Sequence, residues 1–209
     1  KIEVILDFSN DEDAKNDSAW TEVSSYGPHD LTISDYEMGF ELDDASDIAK
    51  LNKWTLHDLN ADGSSWGAFF DHIDSATNDT NYVMGYTYDF SNTADDWLIS
   101  SCIDMRAGAT YEISISSYLY SMSYPEHLIV MLGNDNNPSA MTDTIFDLDG
   151  TSLLDTVQTF TDTFQASVSQ SYYLGIKAAS DAGMYYLFVD DAKITQLTES
   201  AINEKELNS

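Results

Sequence analysis

Apolar and polar positions alternate, or apolar residues gather in short runs, along most of this 209-residue chain. Tyr111-Glu112-Ile113-Ser114-Ile115-Ser116 alternates strictly, which predicts a strand with one buried and one wet face. Leu128-Ile129-Val130-Met131-Leu132 is apolar on both faces and reads as a central strand. Further strands are predicted near 54–57, 66–71, 82–88, 96–100, 110–120, 127–133, 156–165, 171–179 and 185–196, between turns rich in Asp, Asn, Gly and Ser. Upstream, Ile2 to Phe8 reads as one strand and Ser9 to Ser18 as a solvated acidic loop. Leu31-Thr32-Ile33 and Phe40-Glu41-Leu42 read as short strands around an acidic turn. Asp43 to Lys53 is the one predicted helix, with Asp43 or Asp44 as its cap and Ile48 and Leu51 on one face. With 3 Pro and 10 Gly, Asn and Asp must make most of the turns. Many strands and almost no helix predict an all-β chain: a two-sheet antiparallel β-sandwich of jelly-roll type, with at most one short helix.

The length suits one large domain, which buries roughly 70% of its unfolded surface and needs no disulfide. Three segments are expected: residues 1–35 as an extra strand plus acidic loop, 36–197 as the sandwich, and 198–209 as a polar linker. The single Cys102 cannot form an internal bridge and sits in an apolar run, so it reads as a small buried hydrophobe. No stretch of about 18 apolar residues is present, so no transmembrane helix is expected. Lys1-Ile2-Glu3-Val4 opens on a strand without a signal segment, which leaves secretion undecided.

Charge changes the picture most. Eight Lys and Arg against 37 Asp and Glu give a net charge of −29. That excludes nucleic acid and anionic membrane surfaces as partners, since both require a basic face. A compact body so charged repels itself, and a divalent cation bound only to the folded state would relieve part of that repulsion.

Asp58-Leu59-Asn60-Ala61-Asp62-Gly63 sets three oxygen side chains at alternate positions before a glycine turn. That spacing suits a loop wrapped around Ca²⁺, or a plain Asx-type turn. Position 12 is Phe69 rather than Glu, so it is not an EF-hand. Asp190 and Asp191 close an apolar run; they either share a cation, with Glu41 as partner, or form a bulge that leaves both acids in water. Asp95-Asp96 before Trp97 reads as a turn plus a strand start. Gly63-Ser64-Ser65-Trp66-Gly67 matches G-x-S-x-G, but a strand-like run follows where a nucleophile elbow needs a helix. His29, His57, His72 and His127 are scattered and suggest no zinc site. Tyr118, Tyr120 and Tyr124, with Trp66, could meet a sugar or a protein; filling the core is the alternative.

The order of Gly39-Phe40-Glu41, Trp54 to Asp58, the Asp58–Trp66 turn, Asp96-Trp97-Leu98-Ile99-Ser100 and Phe188-Val189-Asp190-Asp191-Ala192-Lys193-Ile194 resembles the cleaved adhesin domain, related to choice-of-anchor J and gingipain haemagglutinin/adhesin domains. The resemblance covers about residues 36–197. It implies a jelly roll with structural calcium in a secreted or cell-surface module without catalysis, usually part of a larger chain. Residue by residue, it makes Glu41, Asp58, Asn60, Asp62, Asp190 and Asp191 the metal-ligand candidates. Departures from the pattern are Ser101-Cys102 where S-P is usual, N-A-D-G where D-G-D-G is commoner, and a longer stretch from Asp43 to Lys53. The expectation is a non-catalytic, calcium-stabilised binding module recognising host extracellular protein or glycan. A structural spacer and a β-sandwich glycosidase are the alternatives.

Overall fold

The computed structural model describes residues 2–5, 18–21, 27–42, 44, 47, 50–73 and 80–198. Its strands are β1 (Ile2–Ile5), β2 (Ser18–Thr21), β3 (His29–Asp30), β4 (Tyr36–Met38), β5 (Thr55–Asp58), β6 (Trp66–Ile73), β7 (Thr80–Thr87), β8 (Asp96–Ile99), β9 (Ile103–Met105), β10 (Thr110–Leu119), β11 (Leu128–Gly133), β12 (Met141–Leu148), β13 (Gln158–Gln165), β14 (Gln170–Ala178) and β15 (Tyr186–Thr198). A six-stranded sheet runs β13-β10-β15-β7-β6, with β4 added on β15. A seven-stranded sheet runs β12-β11-β14-β8-β5, with β9 on β14 and β3 on β9. The two sheets stack as the expected jelly-roll sandwich. One short pairing, β3 with β9, is parallel rather than antiparallel. It carries sheet pairing back to His29, inside the segment read as preceding the sandwich.

The alternation in β10 places Tyr111, Ile113 and Ile115 in the core. They share it with Leu187 and Val189 of β15, Leu128, Val130 and Leu132 of β11, and Leu174 and Ile176 of β14. Each such side chain contributes about 1.5–3 kcal/mol by leaving water. β11 lies between β12 and β14, as its two-sided apolarity predicts.

β15 pairs with β10 along its length, while its other edge meets β7 over Tyr186–Val189 and β4 over Ala192–Ile194. At the switch, Ser116 faces Asp190 while Ser114 faces Lys193, so two residues of β15 oppose the single Ile115. This is a β-bulge, with Asp191 in the left-handed region at φ 47°.

Two predicted strands are not strands. Leu31-Thr32-Ile33 is a turn because Asp30 Oδ1 accepts both the Thr32 N–H (2.9 Å) and its hydroxyl (2.7 Å), offering the backbone a local partner. Phe40-Glu41-Leu42 lies beyond β4: the Gly39 and Glu41 N–H groups go to Asp47 Oδ2 at 3.0 and 3.4 Å instead of to a ladder. Phe40 has φ 58° and buries its ring fully. Strands β2, β3, β4, β9 and β12 were not expected; β12 is a polar edge strand in which only Met141 and Phe146 are buried. Of the predicted Asp43–Lys53 helix, Asp47, Lys50 and Leu51 are helical and Asn52 and Lys53 form a turn, while residues 43, 45, 46, 48 and 49 lie outside the described residues. So do most of the 9–18 loop and residues 199–209. Cys102 is half-buried rather than a core residue, beside the Tyr173 hydroxyl.

Ile113→Ala should lower unfolding free energy in urea by about 2–5 kcal/mol, through the lost methyl groups and the cavity they leave. Ile33→Ala, at a side chain 82% exposed, should change it by less than about 0.5 kcal/mol.

Candidate functional site

The Asp58–Gly63 turn is held by its own acids. Asp58 Oδ2 accepts the Gly63 N–H at 3.0 Å, Asp62 Oδ1 accepts the Ser64 N–H at 2.7 Å, and Asn60 Oδ1 accepts the Asp62 N–H at 3.4 Å. Asn60 spends its amide on Asp62 Oδ2 (2.8 Å) and the Thr93 carbonyl (2.7 Å). Ala61 and Gly63 take positive φ, 55° and 85°. The Asx-turn bonds therefore exist, yet they leave Asp58 Oδ1 buried and without a partner.

Across the β5–β8 pair, Asp58 faces Asp96. Alternation puts Asp96 on the core face with Leu98. Asp96 is 0% exposed, and neither carboxylate oxygen has a hydrogen-bond partner. Its carbonyl accepts Trp66 Nε1–H at 3.1 Å, and the buried Tyr86 hydroxyl nearby is also unpartnered. Burial, reinforced by the charges of Asp58 and Asp62, pushes the Asp96 carboxyl up to about 7. Its neighbour Asp95 is paired with Lys177 at 2.7 Å, and Lys177 also lies 5.3 Å from the Trp97 ring. Asp95-Asp96 is the turn plus strand start expected, with Asp96 opening β8, but that expectation did not mark Asp96 as an inward carboxylate. The signal was the period of two: if Leu98 is core, Asp96 shares its face.

The second acid group lies at the β15 bulge. Asp190 Oδ1 accepts the Asp191 N–H at 2.8 Å, and Glu41 Oε2 accepts the Tyr82 N–H at 3.0 Å. Burial, with Asp191 and Glu41 nearby, pushes Asp190 up to about 7, and Asp191, which has Asp47 and Glu37 beside it, is raised as well. Asp47 joins this group, its Oδ1 paired with Lys50 at 2.8 Å. The structure thus brings Glu41 to Asp190 as expected, but through a bulge and a loop rather than a regular strand.

Donor chemistry at both places is carboxylate and amide oxygen, the set a hard cation prefers. As the side chains stand, no three His, Cys, Asp or Glu groups among the described residues already converge on one point. Carboxylates without a counter-ion repel one another, and backbone carbonyls and Asn supply part of a calcium shell. The orphaned oxygens of Asp58 and Asp96 are the observation that fits such an ion.

On the outer face of the six-stranded sheet, Tyr118 stacks on Phe188 at 4.8 Å, and Phe69 meets Phe188 and Tyr186 edge-on at 5.8 and 5.6 Å. Gly85 keeps the floor low: a Cβ there would meet Phe69 at 2.6 Å. The Tyr118 hydroxyl donates to Asp71 Oδ1 at 2.7 Å. Phe69, Asp71, Tyr118, Asp155 and Phe188 line a groove of about 280 Å³, together with Phe70 (58% exposed) and Tyr120 (59%). Tyr120, Tyr124 and Phe90 continue the aromatic surface around Tyr185 and Tyr88 at the rim. Trp66 is not part of it. It faces Tyr86 in the core at 5.9 Å, because the β6–β7 register turns that pair inward. Ser65 precedes a strand, so the G-x-S-x-G match forms no nucleophile elbow.

The architecture is a jelly-roll sandwich with an acidic end and an aromatic outer face. No family model matches the chain, and no curated protein does. Among solved structures, a cleaved adhesin domain of Lys-gingipain from Porphyromonas gingivalis W83 is similar at 18% identity and a TM-score of 0.56, over 78% of this chain and 98% of that one. A second such domain is similar at 14% identity and 0.56, over 77% and 97%. The xylan-binding domain of a Paenibacillus barcinonensis protein is similar at 12% identity and 0.52, over 79% and 95%. The fold these three share is the fold of this chain, as the motif order led one to expect.

Glu126, at the start of the 126–128 approach to β11, is fully buried; Oε1 accepts the Tyr185 N–H at 2.6 Å and Oε2 has no partner. Burial raises its carboxyl above the ordinary 4.5. A carboxyl raised on folding contributes stability that is complete below its unfolded value and lost as pH rises through the folded one. Glu126→Gln should therefore flatten the decline of the melting temperature above pH 4.5 and exceed wild type near neutrality. Parallel pH profiles would show the carboxyl is not held in its neutral form.

Proposed function

We propose that this chain is a non-catalytic, calcium-stabilised binding module of a secreted or cell-surface bacterial protein, and that it takes a glycan on the outer face of its six-stranded sheet. The observation that carries the reading is the aromatic groove. Its rings lie outside the core, so packing between the sheets does not account for them. Apolar ring faces next to carboxylate acceptors, here Asp71 and Asp155, match the alternating C–H and O–H surface of a sugar. The net charge of −29 favours neutral polysaccharides over anionic ones. The similar folds include one that is named for xylan binding and others that are named as adhesin domains. Calcium is assigned to Glu41, Asp190 and Asp191 at the bulge and to Asp58, Asn60 and Asp62 at the turn. A host extracellular protein is the second reading, favoured by Phe90, 78% exposed on the aromatic rim beyond the groove.

Affinity electrophoresis through soluble xylan and other neutral polysaccharides tests the reading. Wild type should be retarded by at least one of them. Phe70→Ala and Tyr120→Ala should each weaken binding by about 30-fold, the ~2 kcal/mol of a hot-spot side chain. Phe90→Ala should leave glycan retardation unchanged. A wild type that is never retarded, or retardation insensitive to both groove variants, removes the glycan reading.

A further inference from the structure

The feature that the groove does not use is the acidic end of the sandwich. Among the described residues, Asp96 stands apart from the other carboxylates. It is wholly buried, and neither oxygen accepts a hydrogen bond. An ionised carboxylate has about four lone-pair directions to satisfy, and leaving all of them empty in the interior is strongly unfavourable. Its surroundings add negative charge, offset only in part by the Asp95 backbone. Asp58 sits directly opposite on β5 with its own Oδ1 buried and bare, and Asp62 approaches from the turn. The buried Tyr86 hydroxyl beside them has no partner either. Two facing acids with bare, buried oxygens, and a third on the adjoining turn, describe a cation's surroundings more closely than a hydrogen-bond network.

We infer that a calcium-class divalent cation binds at this end of the sandwich, between the Asp58–Gly63 turn and the first residue of β8, with Asp96 as its anchoring ligand beside Asp58 and Asp62. Oxygen-only donors select a hard ion over zinc or copper. The inference deepens the calcium reading above and is independent of the glycan groove. It adds a ligand from β8 to the Asp58, Asn60 and Asp62 set, with the Asn60 NH2 held on Asp62 and Thr93 and its Oδ1 left for the ion. The ion would join the edge strand β5, its turn and the interior strand β8, already tied by the Leu59 N–H to Asp95 carbonyl bond (3.1 Å), the Asn60 to Thr93 carbonyl bond (2.7 Å) and the β5–β8 ladder.

Trp66 supplies the probe, because its indole Nε1 lies 3.1 Å from the Asp96 carbonyl oxygen. Terbium, a luminescent stand-in for calcium, should emit on tryptophan excitation when added to the wild-type chain, and millimolar calcium should quench that emission by displacement. Asp96→Asn should weaken terbium binding at least tenfold and abolish the calcium-dependent rise in melting temperature. The same variant without metal should melt at or above wild type, because a buried unpaired charge has been removed. Asp190→Asn should keep the tryptophan-sensitised signal. If Asp96→Asn does not fold, Asp62→Asn on the half-buried turn decides instead, with the same expected loss. Unchanged terbium affinity in the folded variant, with loss in Asp190→Asn, overturns this inference and leaves calcium at the bulge. No terbium or calcium binding by wild type overturns the calcium reading as a whole.

Discussion

The pairing of β10 with β15 is the constraint on which the rest of the molecule depends. β15 is 13 residues long and serves two different strands on its other edge, β7 and then β4. Its apolar positions change parity midway: Leu187 and Val189 point inward, but so do Ala192 and Ile194. A regular strand would turn Asp191 and Lys193 into the core. One extra residue restores the pattern, and the bulge at Asp190-Asp191 is that residue. Asp191 then stands exposed, Lys193 reaches Asp35 and Glu37 at 3.0 and 2.8 Å, and the aromatic row of Phe188 and Tyr118 keeps its place on the outer face. The groove and the bulge acids are thus consequences of one parity change in one strand.

Carboxylates divide into two populations, and the division is physical. Asp30, Asp89 and Asp149 each accept N–H or hydroxyl bonds from residues two or three positions on, and those bonds hold their carboxyls below the usual range. Such acids make turns in a chain with few glycines and prolines, and they need no ligand to account for them. Asp96 and Asp190 are the opposite kind: burial and neighbouring acids raise both. Total acidity was therefore a poor guide to where a cation belongs. Whether a carboxylate has N–H groups to accept is the better one.

The strands with a clear period of two or a dense apolar run were legible from residues alone. β10, β11, β14 and β15 fall within a residue or two of their expected limits. The elements that escaped are those whose side chains carry little pattern. β12 is polar on an edge, β9 is three residues, and β3 is two residues held by a parallel partner more than 70 positions away. Two expected strands failed because an aspartate elsewhere, Asp30 or Asp47, captured the backbone N–H groups. At the site, Glu41 lies near Asp190 and Asp191, the three acids that motif order put together. Tyr118 and Tyr120 reached the groove, whereas Trp66 went to the core because its partner Tyr86 faces inward. Asp96 was hidden by a reading that treated two adjacent acids alike, when alternation sends one to Lys177 and the other inside.

Keeping a bare carboxylate at the end of a hydrophobic core is a poor choice for stability alone. An apolar side chain of similar size at Asp96 would remove the desolvation penalty and extend the cluster formed by Trp66, Tyr86 and Leu98. The residue makes physical sense when folding and ion binding are one equilibrium, so that the end of the sandwich closes fully only where divalent cation is plentiful. The geometry also separates that closure from recognition. Asp96 faces the interior from the seven-stranded sheet, whereas the groove lies on the outer face of the six-stranded one. An ion at Asp96 would therefore act on how firmly β5 and its turn are held and leave the groove's ring positions to the β10–β15 register. Metal dependence of stability and ring dependence of binding then become separable properties of one sandwich, each traceable to a different sheet.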